Sequence, residues 1–133
     1  MIEFEPTYFE EFLSYLAVKD LLVSSLCAVE LRSKGYSPGE SILITQAVDK
    51  LEKFLRNPEY QQLSMLTEAS GWSREKVLAF LEETLTSLTH IESEDKYNEI
   101  YDGLLALLNQ LDSRYRDLEE RILSRYRARI PYV

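Results

Sequence analysis

The C-terminal third of the chain carries an uninterrupted apolar repeat of helical period. With Tyr97 taken as a heptad d position, apolar residues follow at alternating spacings of four and three: Tyr101, Leu104, Leu108, Leu111, Tyr115, Leu118 and Ile122. No proline occurs in this stretch before Pro131, and Gly103 is its only glycine. A sustained heptad of this kind is typical of a long helix packed lengthwise on another helix. We therefore predict one long amphipathic helix over residues 95–129.

The remainder of the sequence predicts further helices and no strand. Apolar residues recur at spacings of three and four over residues 6–33, 37–56, 58–69 and 74–91. The chain has only four glycines and four prolines in 133 residues, which is too few for a turn-rich β fold. The predicted fold class is all-α, with residues 1–133 forming a single-domain bundle of about five helices.

Turn chemistry marks where these helices begin and end. Gly35 and Gly71 are suited to the left-handed position that follows a helix. The sequence from Ser37 to Glu40 matches a capping box with proline at the first helical position, and predicts the start of the second helix. Asn57 is predicted to begin the third helix by the same logic, and Ser73 to cap the fourth.

The residue inventory excludes several classes of active site. One histidine and one cysteine cannot build the usual zinc sites or a disulfide framework. The four glycines are isolated, so no glycine-rich loop is available to hold a phosphate. We predict no catalytic residue, no metal and no cofactor, and hence a protein that is not an enzyme. The surroundings of Cys27 are apolar, and this residue is expected to be buried.

Charge is unevenly distributed along the chain. Residues 1–113 hold nine Lys and Arg against twenty Asp and Glu, whereas residues 114–133 hold six Arg against three acids. The total of −8 makes nucleic acid an improbable partner for most of the surface. The N-terminal residues lack the basic start of a signal peptide. The apolar stretch from Leu21 to Leu31 is too short to span a bilayer. We expect a cytoplasmic protein that binds another protein and no membrane.

The arginines near the C-terminus form a candidate partner-binding end. Arg125, Arg127 and Arg129 exceed the number of acids nearby, and Tyr126 adds aromatic surface between them. Arginine and tyrosine are enriched at binding hot spots. The alternative is structural, because cations near the C-terminus of a helix stabilise its dipole by about 0.3–1 kcal/mol each.

The second half of the long helix is a candidate dimer interface. Its seam consists of Leu111, Tyr115, Leu118 and Ile122, and charged residues take over the flanking positions after residue 108. A narrow apolar seam with charged flanks is typical of a coiled coil, which predicts a homodimer. The alternative is that this seam packs on the first helix of the same chain.

Residues 66–81 are similar to the helix-turn-helix pattern of bacterial regulators. In that pattern a small residue lets two helices approach, a glycine turns the chain and an apolar residue fills the corner, roles that would fall here to Ala69, Gly71 and Trp72. The resemblance implies a tri-helical unit over residues 37–91. The DNA-binding residues would be Ser73, Arg74 and Lys76.

A physical objection weakens the DNA interpretation. Residues 57–92 carry two bases against six acids, whereas phosphate contacts supply much of the affinity for DNA. The preferred interpretation is a non-enzymatic protein–protein interaction module, such as a small acidic adaptor, regulator or assembly factor. The alternative is a helix-turn-helix transcriptional regulator that dimerises through its C-terminal helix. A third, weaker one is a helical subunit of a nucleoprotein assembly.

Overall fold

The computed structural model describes the backbone of residues 6–128 and the side chains of residues 9–124. Its elements are α1 (Pro6–Ser33), a single 3-10 turn (Pro38–Glu40), α2 (Ile42–Arg56), α3 (Tyr60–Ser70), α4 (Arg74–Thr89) and α5 (Glu94–Ala128). No strand occurs among the described residues. The predicted all-α bundle with a long C-terminal helix is confirmed.

The two longest helices, α1 and α5, pack along each other in opposite directions. Tyr15, in the first half of α1, contacts Asp112 and Tyr115 in the second half of α5. Val29, near the end of α1, shares a groove with Tyr97 and other residues of the start of α5. Helix α2 packs on α1, and α3 and α4 complete the bundle. The resulting core draws buried apolar side chains from all five helices.

Several predicted helix ends are confirmed by backbone geometry. Gly35 and Gly71 have φ angles of 96° and 73°, the left-handed conformation that glycine adopts without steric cost. The Ser73 hydroxyl accepts a hydrogen bond from the Lys76 N–H and caps α4. The hydroxyl of Ser93 does the same for the N–H of Lys96 at the start of α5.

Two predicted helix starts are wrong by a few residues. The Ser37 N–H donates to the Glu40 carboxylate as in a capping box, but this interaction closes only the 3-10 turn. Ser41 then adopts an extended conformation, with φ −139° and ψ 125°, so α2 begins at Ile42. The cap of α3 is Glu59, whose carboxylate accepts from the N–H groups of Gln61 and Gln62, and Asn57 instead ends α2.

Helix α1 differs from expectation in two respects. Cys27 is exposed, because it lies on the outer face of the helix and not on the face that packs against the bundle. Residues Phe9–Ser33 have the length and the mean hydropathy, 1.6, of a membrane span, which is a longer apolar segment than the sequence indicated. Length and hydropathy do not separate a span from the core helix of a soluble bundle, and half of this window is buried.

Candidate interaction surfaces

The four predicted dimer residues are buried within the chain's own fold. Leu111, Tyr115, Leu118 and Ile122 are between 0% and 8% exposed. The Tyr115 ring lies 6.1 Å from the ring of Tyr15 on α1, and its hydroxyl donates to the Glu68 carboxylate on α3 at 3.3 Å. These four side chains are therefore covered within one copy of the chain, and Tyr115 packs on α1 and α3. The homodimer itself stays a prediction, and it requires another surface.

A polar cluster sits beside this seam, where α1 meets α5. The hydroxyl of Tyr15, a residue only 1% exposed, donates to the Asp112 carboxylate at 2.7 Å. Lys19 forms an ion pair with the same carboxylate at 3.3 Å. Burial, followed by the hydrogen bond to Asp112, raises the pKa of Tyr15 above its ordinary value. The cluster fixes the register of the two long helices, since moving α5 along α1 would separate a buried donor from its acceptor.

Arg32 joins the ends of two helices at the opposite end of the bundle. Its Nη1 and Nη2 groups each donate at 2.9 Å, to the carbonyl of Tyr36 after α1 and to that of His90 at the end of α4. The residue is 8% exposed and no carboxylate pairs with it among the described side chains. Two carbonyl oxygens, of which that of His90 is at the C-cap of α4, partly offset its charge instead. Sequence reasoning missed this residue, since an arginine in the last turn of a helix is usually solvated.

The corner between α3 and α4 has the local geometry that the residue pattern predicted. Gly71 turns the chain, and the Trp72 ring packs edge-on against Phe80, with ring centroids 5.6 Å apart. Of the candidate DNA-binding residues, Ser73 is engaged as a helix cap and Arg74 is exposed. The Lys76 ammonium lies 4.3 Å from the centre of the Trp72 ring, a cation–π contact that draws it toward the corner.

The surface around this corner is acidic. Glu75 is exposed between the two bases, and Glu82 and Glu83 are exposed about two turns further along α4, where Glu83 pairs with Lys96. A single arginine and a lysine held against tryptophan supply few phosphate contacts. The structure thus brings the three candidate DNA-binding residues together at the start of α4, in electrostatic surroundings that oppose a polyanion.

The candidate partner-binding end lies at the far end of α5. Arg125, Tyr126 and Arg127 belong to the last described turn of this helix, and their side chains are outside the described set. Arg129 lies outside the described residues altogether. The last described core-facing side chain is Ile122, so the arginines follow directly after the packed part of the helix.

The opposite end of the bundle, where α1 and α4 finish and α2 and α5 begin, is named here the loop end. It exposes four large apolar side chains: Tyr36 (46%), Ile42 (72%), Leu43 (48%) and Ile91 (90%). Arg32 holds two of the contributing segments together through the Tyr36 and His90 carbonyls. The sequence analysis assigned no role to these residues. An apolar residue within a turn, such as Ile91, could have indicated an exposed apolar surface.

Acidic residues border the apolar side chains of the loop end. Glu92 is partly exposed and Glu94 and Asp95 are exposed, and none of the ion pairs between described side chains includes these three residues. The Glu40 carboxylate is exposed as well, and hydrogen bonds from Ser37 hold its pKa below the usual range. The loop end therefore combines apolar side chains with a border of carboxylates.

The sides of the bundle carry grooves. A groove of about 300 Å³ lies between α1, α2 and the start of α3, and Lys50 crosses it to pair with Asp20 at 2.9 Å. No group of three or more histidine, cysteine, aspartate or glutamate side chains able to hold a metal ion occurs among the described residues. The chain matches no protein-family model, no curated protein and no solved structure.

Proposed function

We propose that this protein is a non-enzymatic protein–protein interaction module that contacts its partner through the arginine end, Arg125, Arg127 and Arg129 with Tyr126. In this proposal it is a small acidic adaptor, regulator or assembly factor, forms a homodimer, and works in the cytoplasm without membrane or nucleic acid. One observation carries the proposal: a long helix anchored in the bundle extends past Ile122 with a run of arginines, on a chain that is otherwise acidic.

The anchoring of α5 supports a binding role for this end. Up to Ile122 one face of the helix is buried, and polar contacts of Tyr15 and Tyr115 fix it to α1 and α3. Binding groups on a helix held in this way lose little conformational entropy when a partner binds. The proposal assigns the arginines that follow Ile122 in the sequence to contact with an acidic surface.

The test is replacement of all three arginines by glutamate. Capture of partners from a lysate, followed by mass spectrometry, is expected to lose the specific partner, because three attractive contacts become repulsive. Binding of the unchanged protein should also weaken as salt is raised, while the variant shows no such dependence. Capture that is equally strong with the variant would contradict the proposal and leave the arginines with a structural role at the helix end.

A matched control separates charge from position. Lys53, Arg56 and Arg74 are exposed bases on α2 and α4, away from both ends in question. Reversing these three charges changes the net charge as much as the arginine replacement does. Partner capture is expected to survive this control, with circular dichroism confirming that both variants keep their helices.

The second candidate is a helix-turn-helix DNA-binding protein, favoured by the turn at Gly71 and the cap at Ser73. Selection from a random DNA library at roughly 50 mM salt is the test, since phosphate contacts are strongest at low salt. Enrichment of one sequence that is lost with Arg74→Ala would support this candidate. If no sequence is enriched from the library, the result supports the interaction module instead.

A further inference from the structure

We propose that the loop end is the docking surface for the arginine end of a second copy of this chain. The two ends then pair reciprocally in an antiparallel homodimer. This inference rests on the proposed function, because it assigns a partner to the same arginine end. It also supplies the interface that the buried seam residues cannot.

Charge and chemistry match between the two ends. The loop end exposes Tyr36, Ile42 and Ile91 beside the carboxylates of Glu92, Glu94 and Asp95. The sequence of the arginine end, residues 125–133, alternates arginine with apolar residues and contains no acid. Apolar side chains of one end can cover those of the other while arginines meet carboxylates, and interfaces of this composition favour arginine and tyrosine.

The dimensions of α5 exclude the same pairing within one chain. The helix rises about 1.5 Å per residue, which places Arg127 about 50 Å from Glu94 along the same helix. Arg125 and Arg127 are part of this helix and cannot fold back to its start. A second copy running in the opposite direction, however, brings its arginine end beside the loop end of the first.

Symmetry then sets the stoichiometry. Each copy offers one loop end and one arginine end, and a twofold axis makes the two contacts equivalent and closes the assembly as a dimer. The alternative, an end-to-end contact without the twofold axis, would generate open chains of growing mass. Light scattering distinguishes a mass that stops at twice 15.6 kDa from one that increases with concentration.

A charge exchange between the two ends is the decisive experiment. One variant replaces Arg125, Arg127 and Arg129 by glutamate, and the other replaces Glu92, Glu94 and Asp95 by lysine. Each variant alone is expected to be monomeric, because its two ends carry like charges. An equimolar mixture is expected to recover the dimer, since both contacts of a mixed pair again join opposite charges.

The unchanged protein is measured first, at about 100 μM and roughly 50 mM salt, where weak interfaces are still occupied. A dimer that dissociates as salt rises, and that the mixture restores, supports the proposal. A monomer under these conditions overturns it, as does a dimer that persists in the arginine variant or a mixture that stays monomeric. Open chains overturn the twofold arrangement.

Two further variants test whether dimerisation depends on the loop end itself and not on the total charge of the chain. Ile91→Ser changes a residue that is 90% exposed without adding charge, so it should leave thermal unfolding unchanged while weakening self-association roughly tenfold or more. Replacing Glu52, Glu75 and Glu82 by lysine adds the same positive charge at exposed positions elsewhere, and the dimer should persist. If the unchanged protein is monomeric but still captures a lysate partner through its arginines, the self-docking and the homodimer fail, and the protein–protein interaction module stands.

Discussion

The two halves of α5 are held in the bundle by different means. From Tyr97 to Leu107 the helix buries a face of apolar side chains, and Gly103 lets the ring of Phe80 approach the backbone. From Leu111 onward the helix buries as many residues per turn, but Leu118 and Ile122 lie outside the main core cluster. The adjoining contacts here are polar: Tyr15 with Asp112, and Tyr115 with Glu68. The first half is held mainly by apolar packing. The second half is held in addition by the hydroxyls of Tyr15 and Tyr115, which donate hydrogen bonds to carboxylates.

This difference explains why a regular heptad pattern does not indicate whether the helix packs within its own chain or on a second chain. A tyrosine at a core position buries its ring and needs a polar contact for its hydroxyl. Tyr115 meets this need at the edge of the bundle, where Glu68 is still half exposed. Tyr115 can therefore occupy a heptad core position at the edge of the bundle without a second chain to cover it.

The largest expected effect contrasts one leucine from each half. Leu104 is fully buried in the main core, so Leu104→Ala should lower the free energy of unfolding by about 2–5 kcal/mol. Leu118 is 8% exposed and lies outside the main cluster, so Leu118→Ala should lower it by about 2 kcal/mol or less. Urea unfolding followed by circular dichroism measures both. Equal losses would contradict the proposed difference between the halves.

The next prediction concerns the close approach in the first half. A Cβ atom at Gly103 would lie 2.6 Å from Cζ of Phe80, so Gly103→Ala is expected to destabilise the fold by about 1–3 kcal/mol despite alanine's better helix propensity. In a Phe80→Leu background the aromatic ring is absent, and Gly103→Ala should raise the free energy of unfolding by roughly 1 kcal/mol. The sign reversal between the two backgrounds is the result to look for.

A smaller effect is expected from the polar contact in the second half. Tyr15→Phe removes the donor to Asp112 while keeping the ring, and should lower the free energy of unfolding by about 1–2 kcal/mol at neutral pH. Tyr115→Phe is the matched control and should have less effect, because its acceptor is 3.3 Å away and half exposed. Similar losses from the two changes would show that hydroxyl burial does not matter here.

The smallest effect is a dependence on alkaline pH. The pKa of Tyr15 in the folded chain is above its ordinary value of 10.0. Above pH 10 the hydroxyl ionises first in the unfolded chain, so the contribution of Tyr15 is complete below that pH and is lost as pH rises toward the folded pKa. The stability gap between the unchanged protein and Tyr15→Phe should narrow between neutral pH and about pH 11. A gap that stays constant would contradict the assignment.

Much of the architecture could be predicted because it depends on local signals. The period of the apolar residues predicted α5 and its buried face, and Gly71 and Ser73 marked the turn before α4. The start of α2 was misplaced because Ser41 is extended, which the residues of the capping box do not determine. The period of α1 is compatible with burial of Cys27, and only the arrangement of the neighbouring helices leaves it exposed.

The candidate surfaces were harder to predict than the helices. Periodicity indicates that Leu118 and Ile122 are covered, but whether by α1 or by a second chain depends on how the helices assemble. Arg32 donates to the carbonyl of His90, 58 residues away, and no local sequence pattern predicts such a contact. The apolar loop end is assembled from two connecting regions and the start of α2, and each of these is ordinary when considered alone.

The pairing of the first helix with the last also constrains how the chain is made. Tyr15 and Asp112 are 97 residues apart, and a ribosome adds about 5–20 residues per second. About 5–20 seconds therefore pass between the synthesis of α1 and the synthesis of the part of α5 that covers its apolar face. Only α2, α3 and α4 can shield that face in the interval, so the nascent chain is exposed to chaperones and to aggregation until its final helix has been synthesised.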